Sequence, residues 1–158
     1  MAITISFALI LSYIESRIPA FIAIPGIKAG LANIAVIFTL YKLGAKEAAL
    51  ISVIRVLLVS LLFGSPVSLI YSISGAVLSL AAMIILKKLT PLKEVAVSVC
   101  GGVMHNIGQI IAASLMLSTN VVGYYLPFLI LSGTIAGIVV GLTSAILIKR
   151  VPVGYSKK

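Results

Sequence analysis

Apolar runs joined by very short connections fill almost the whole chain, and that pattern restricts it to a membrane-embedded helical fold. Of 158 residues, 61% are hydrophobic and 9% charged, with a mean hydropathy of +1.29; soluble domains carry about 25% charged residues. The connections leave no room for a separate soluble domain, so residues 1–158 read as a single transmembrane domain. A bilayer core of about 30 Å takes about 20 helical residues at 1.5 Å rise each. Six segments meet or approach that length, at residues 2–16, 30–43, 46–63, 67–86, 94–117 and 124–148. The first two are short for a full span, which suggests half-buried helices or an N-terminus that starts inside the membrane. Transmembrane strands are excluded, because barrels alternate polarity over about ten residues and these runs are apolar all round. The first run begins without Lys or Arg and leads directly into Glu15-Ser16-Arg17, so it reads as a retained helix rather than a cleaved signal peptide. The expected fold is an all-α integral membrane protein with six transmembrane helices.

The net charge of +9 does not indicate nucleic acid. Nine of the twelve basic residues fall in three short clusters at the ends of apolar runs: Lys42/Lys46, Lys87/Lys88/Lys93 and Lys149/Arg150/Lys157/Lys158. If both termini are cytoplasmic, these clusters all lie inside and the links at Gly64-Ser65-Pro66 and 118–123 carry no charge. The positive-inside rule therefore predicts a multi-pass protein of the cell membrane with both termini inside. Arg17 and Lys28 break the rule, since the same topology puts them at the outer face, and ligand contact is the evident reason to keep them there.

Ionisable and amide side chains converge on that outer half. Glu15 and Arg17 end the first helix, Lys28 follows the Pro19 to Pro25 junction, and Asn33 opens the second helix. Arg55 lies nine residues beyond Lys46, about 13 Å up the third helix and near the midplane. His105 and Gln109 are four apart and share a face of the fifth helix, with Asn106 beside them. An ionisable group in hydrocarbon is costly and faces a cavity or a partner, so Glu15, Arg17, Lys28, Asn33, Arg55, His105, Asn106 and Gln109 form the candidate substrate-binding set. Each has a duller use. Glu15 and Arg17 could cap a helix end and snorkel, Lys28 could anchor at the interface, Arg55 could sit in a structural ion pair, and the amides could bond between helices. Shared depth on one side favours a cavity instead. Arg17, Lys28 and Arg55 against Glu15 make the set net positive, so an anionic or strongly polar ligand is expected. Tyr13, Phe21, Tyr71, Tyr124, Tyr125 and Phe128 lie near the same end, either over the ligand or as an interfacial belt.

Two stripes of small residues are apparent. Thr4, Ala8 and Ser12 recur every four residues on the first helix, a face for a partner subunit; Gly133, Gly137, Gly141 and Ala145 do so on the sixth, where internal packing is expected. The chain contains no Asp and three Glu. It cannot itself supply the aspartate-rich Mg²⁺ sites of prenyl-chain synthesis, and it has no P-loop. One His and one Cys make no zinc site. No cofactor is expected, and an enzyme is disfavoured.

The block Glu15-Ser16-Arg17-Ile18-Pro19, then Pro25-Gly26-Ile27-Lys28-Ala29-Gly30-Leu31-Ala32-Asn33, Arg55, and Gly101-Gly102-Val103-Met104-His105-Asn106-Ile107-Gly108-Gln109 resembles the Gx transporter family, often labelled heptaprenyl diphosphate synthase component I. That family in turn is similar to the substrate-binding S components of energy-coupling factor (ECF) transporters. The resemblance implies a six-helix, N-in/C-in bundle with a ligand cavity in its outer half. It also implies docking through an Ala-x-x-x-Ala face, here Ala8 with Ser12, on a transmembrane coupling subunit driven by two ATPases. Two functions are thus expected: a subunit capturing a small anionic or polar metabolite, vitamin-like or an isoprenoid or quinone precursor, for import; or a non-catalytic membrane component of a polyprenyl diphosphate synthase.

Overall fold

The computed structural model describes residues 2–17, 30–119 and 121–151, all helices and short connections. In chain order these are α1 (Ala2–Arg17), α2 (Asn33–Lys42), α3 (Ala45–Phe63), α4 (Pro66–Leu89), α5 (Glu94–Leu117) and α6 (Leu126–Arg150), the last entered through a 3₁₀ segment at Val121–Tyr125. Three helical stretches, Pro66–Leu89, Glu94–Leu117 and Val121–Arg150, are long and apolar enough to cross a membrane. They mark the chain as a membrane protein. Large apolar side chains on their outer faces, such as Val77, Leu115 and Ile135, are exposed, which suits a lipid solvent and not water.

Local sequence fixes most of the helix ends. Ser65 caps α4 by accepting from Ser68 N–H while the Ser68 hydroxyl accepts from Ser65 N–H, and Pro66 follows at the first helical position, where its missing donor costs nothing. α2 begins three residues later than its apolar run, because Gly30 adopts a left-handed φ of +72° and the chain turns there, with Asn33 N–H bonding to Gly30 C=O. Only 10 residues remain in α2, about 15 Å of helix. Lys42, Lys87/Lys88 and Lys149/Arg150 fall in the last turns of α2, α4 and α6, and Lys93 precedes α5. Alternating helix directions collect these cations at one end of the bundle.

The short α2 is the centre of the molecule. Ile34, Ala35, Val36, Ile37, Thr39 and Leu40 are all buried, as expected of a helix that is apolar all round. Ile34, Val36, Ile37 and Leu40 pack with Ala48 of α3, Met83 of α4, Val97 of α5 and Val140 of α6. Ala8 joins Ala35 and Ile51 in a second cluster. This overturns the reading of the α1 stripe as a partner face. Ala8 is 0% and Ser12 5% exposed, and the small side chains serve to bring α1 close to α2 and α3.

α5 lies between α4 and α6 at backbone contact. A Cβ on Gly137 would sit 2.5 Å from Val99 Cα, and one on Gly102 2.5 Å from the Gly133 carbonyl oxygen. The α6 glycine stripe is therefore internal, as its sequence suggested. Asn106 reinforces the same seam: its amide donates to the Leu129 carbonyl at 2.6 Å and to the Ser132 hydroxyl at 3.3 Å.

Gly137→Leu should lower the unfolding midpoint of the purified protein in detergent, by about 1–3 kcal/mol of stability. Gly123→Ala, where nothing lies within 4 Å, should leave it in place; equal midpoints for the two variants would contradict the close α5/α6 approach. Asn106→Leu, which removes both bonds to α6, should cost about 1 kcal/mol in the same assay.

Candidate functional site

The seam where α1, α2 and α3 meet α4 and α5 does not close. A cavity of about 90 Å³ remains there, lined by Glu15, Asn33, Arg55, His105, Asn106 and Gln109 together with Ser12, Ser16, Ser60 and Ser72. Six of the eight residues picked out as substrate-binding candidates thus border one space. α1 ends there with Glu15, and α2 starts there with Asn33. α3 brings Arg55 halfway along its length, and α5 brings His105 and Gln109 one turn apart.

Their contacts differ in kind. The Glu15 carboxylate accepts the Gly30 N–H at 2.5 Å, which ties the end of α1 to the turn leading into α2. Arg55 Nη2 donates to Asn33 Oδ1 at 3.3 Å, and Glu15 is near enough to act on the guanidinium electrostatically. Among the described residues, Arg55 Nε is buried without a hydrogen-bond partner, and so is Gln109 Oε1. Buried polar atoms are rarely left so, each costing about 1–3 kcal/mol. Asn106 is committed to α6 through its amide nitrogen and forms wall rather than a free contact. His105 packs against Gly75, where a Cβ would lie 2.8 Å from the imidazole; only glycine lets the ring occupy that position between α4 and α5.

One candidate is not brought to the cavity. Arg17 stacks its guanidinium over the Tyr13 ring at 5.1 Å on an exposed face of α1, the snorkelling arrangement of a cation at a helix end. Lys28 lies outside the described residues, as do Phe21 and the remainder of 18–29. Among the described lining residues the formal charges are one carboxylate, Glu15, and one guanidinium, Arg55.

The serines were missed. Ser16, Ser60 and Ser72 border the cavity and also, with Ser65 and Ser68, a wider opening of about 420 Å³ at the end of the bundle away from the lysines. Their signal in the sequence was a concentration of hydroxyls at 60–72, within otherwise apolar helices. Towards the lysine end, the cavity continues past Asn33 and His105 into a slot of about 40 Å³ walled by Ser79, Ser98, Gly101 and Gly137. α3 and α4 also part on their outer side, leaving an apolar groove whose floor, Val56, is shared with the polar cavity.

No curated protein and no solved structure matches this chain. The model of one protein family, described as "Heptaprenyl diphosphate synthase component I", matches residues 4–147. That match reaches into each of the six described helices and covers every described lining residue of the cavity, and the chain belongs to the heptaprenyl diphosphate synthase component I family.

Proposed function

We propose that this chain is a non-catalytic membrane component of a polyprenyl diphosphate synthase, working beside a separate catalytic subunit. Family membership across residues 4–147 carries the reading. The composition agrees with it: with no Asp in the sequence, the Mg²⁺-diphosphate chemistry of chain elongation falls to the partner. In this reading residues 1–158 form one domain of six membrane helices in the cell membrane, with both termini inside. The lysine-bearing ends of α2, α4 and α6 face the cytoplasm and offer a basic platform to a soluble enzyme with an acidic patch. Lys87 is already engaged, donating to the Leu40 carbonyl and lying 4.9 Å over the Tyr41 ring, so in the α4–α5 link Lys88 and Lys93 are left for a partner.

The cavity favours a second reading. A protein that only anchors a cytoplasmic enzyme has no use for a polar chamber at the opposite end of the bundle, whereas a ligand-capturing subunit of the ECF type does. Here the chain would bind a small polar or anionic metabolite through Arg55, Asn33, Gln109 and His105, and a coupling subunit with two ATPases would drive release inside. With Ala8 and Ser12 buried, docking would use another face.

Co-expression with a catalytic prenyl synthase subunit separates the two. On the first reading the enzyme remains with the membrane fraction and elongates prenyl chains there; Lys88→Gln/Lys93→Gln releases it at physiological salt, and Arg55→Met does not. A synthase that stays soluble in the presence of the wild-type chain, alongside Arg55-dependent accumulation of a metabolite in cells carrying an ECF ATPase module, would establish the second reading in its place.

A further inference from the structure

The cavity's own atoms restrict its ligand more tightly than the family name does. Arg55 Nε and Gln109 Oε1, buried polar atoms on lining side chains, lack partners among the described residues, and they are of opposite kind: Arg55 Nε is a donor, Gln109 Oε1 an acceptor. They come from α3 and α5, on either side of one space of about 90 Å³. A molecule that fills this space answers both only if it offers an acceptor and, a few bonds away, an O–H or N–H. Charge adds a second restriction. His105 apart, the formal charges on the described lining cancel, Glu15 against Arg55. Glu15 is held in place by Gly30 N–H, so it cannot swing away from an incoming anion. One negative charge on the ligand can pair with Arg55. A second or third would find no further Lys or Arg among the described lining residues and would lie against the Glu15 carboxylate in a low dielectric.

We infer that the cavity binds a small acid or zwitterion of net charge no more negative than −1, with a donor group adjacent to its acid oxygen, and that it rejects diphosphates. This rests on the reading of the cavity as a ligand site and deepens it. It also separates the cavity from the prenyl diphosphates suggested by the family's name, which would be handled by the catalytic partner and not here. The acid oxygen meets Arg55, and Asn33 Oδ1, already bonded to Arg55 Nη2, holds the guanidinium in position. The adjacent hydroxyl or amine meets Gln109.

Lactate and propionate form a matched pair of probes, equal in charge and carbon count and differing by one hydroxyl; inorganic diphosphate supplies charge without a carbon-bound donor. Calorimetric titration of the full chain in detergent is expected to give binding of lactate about tenfold tighter than propionate, from the hydrogen bond left unmade at Gln109. Diphosphate is expected to bind at least tenfold more weakly than lactate. Gln109→Met should erase the lactate preference while propionate binding persists, and Arg55→Met should abolish both; unchanged unfolding midpoints establish that the variants are folded. Diphosphate binding as tight as lactate and dependent on Arg55, or equal binding of the matched pair, would overturn the inferred ligand class and leave the cavity a ligand site. Absence of any Arg55-dependent binding would overturn the ligand site as well.

Discussion

A guanidinium halfway along an apolar helix governs what can surround it. Arg55 cannot face hydrocarbon without a cost of several kcal/mol, so α3 turns it inward, and other helices must then supply polar atoms at its depth. Asn33 does so from the first turn of α2, and Glu15 from the last of α1. For these to arrive together, the last turn of α1 and the first of α2 must meet at the level of Arg55. That explains why α2 is short and why the left-handed Gly30 sits where it does, with its N–H on Glu15. The shortest helix is consequently the most enclosed, with the other five packed around it.

The rest of the bundle is built differently. α4, α5 and α6 approach through glycine at backbone distance, with Asn106 bonded across the α5/α6 seam. This half has little freedom to rearrange, because dense contacts against backbone leave no side chain to give way. The looser half, α1 with α3, meets it along the cavity and the serine-lined opening. A cavity between a rigid wall and a more loosely held one is a natural position for binding coupled to movement, whichever partner the chain serves.

Several features were legible in the sequence because they follow from spacing and cost. His105 and Gln109, four apart on one helix, had to share a face, and Arg55 had to be answered by something polar. Helix positions followed from apolar runs, with α5 at residues 94–117 in both readings. Other features depended on which neighbour a face meets, which one sequence does not encode. The Ala8/Ser12 stripe suits an internal seam as well as an external one, and packing against Ala35 and Ile51 decided between them. Arg17 lies two residues beyond Glu15, yet it turns to the Tyr13 ring and away from the cavity. The late start of α2 came from a single backbone angle at Gly30, not from any change in hydropathy.

The most direct test of a chamber organised to hold a ligand on Arg55 is native mass spectrometry of the protein released gently from its own membranes, beside its Arg55→Met variant. A small molecule retained by the wild type and lost from a folded variant is the result this account predicts. The same bound mass on both, or none on either, would contradict it.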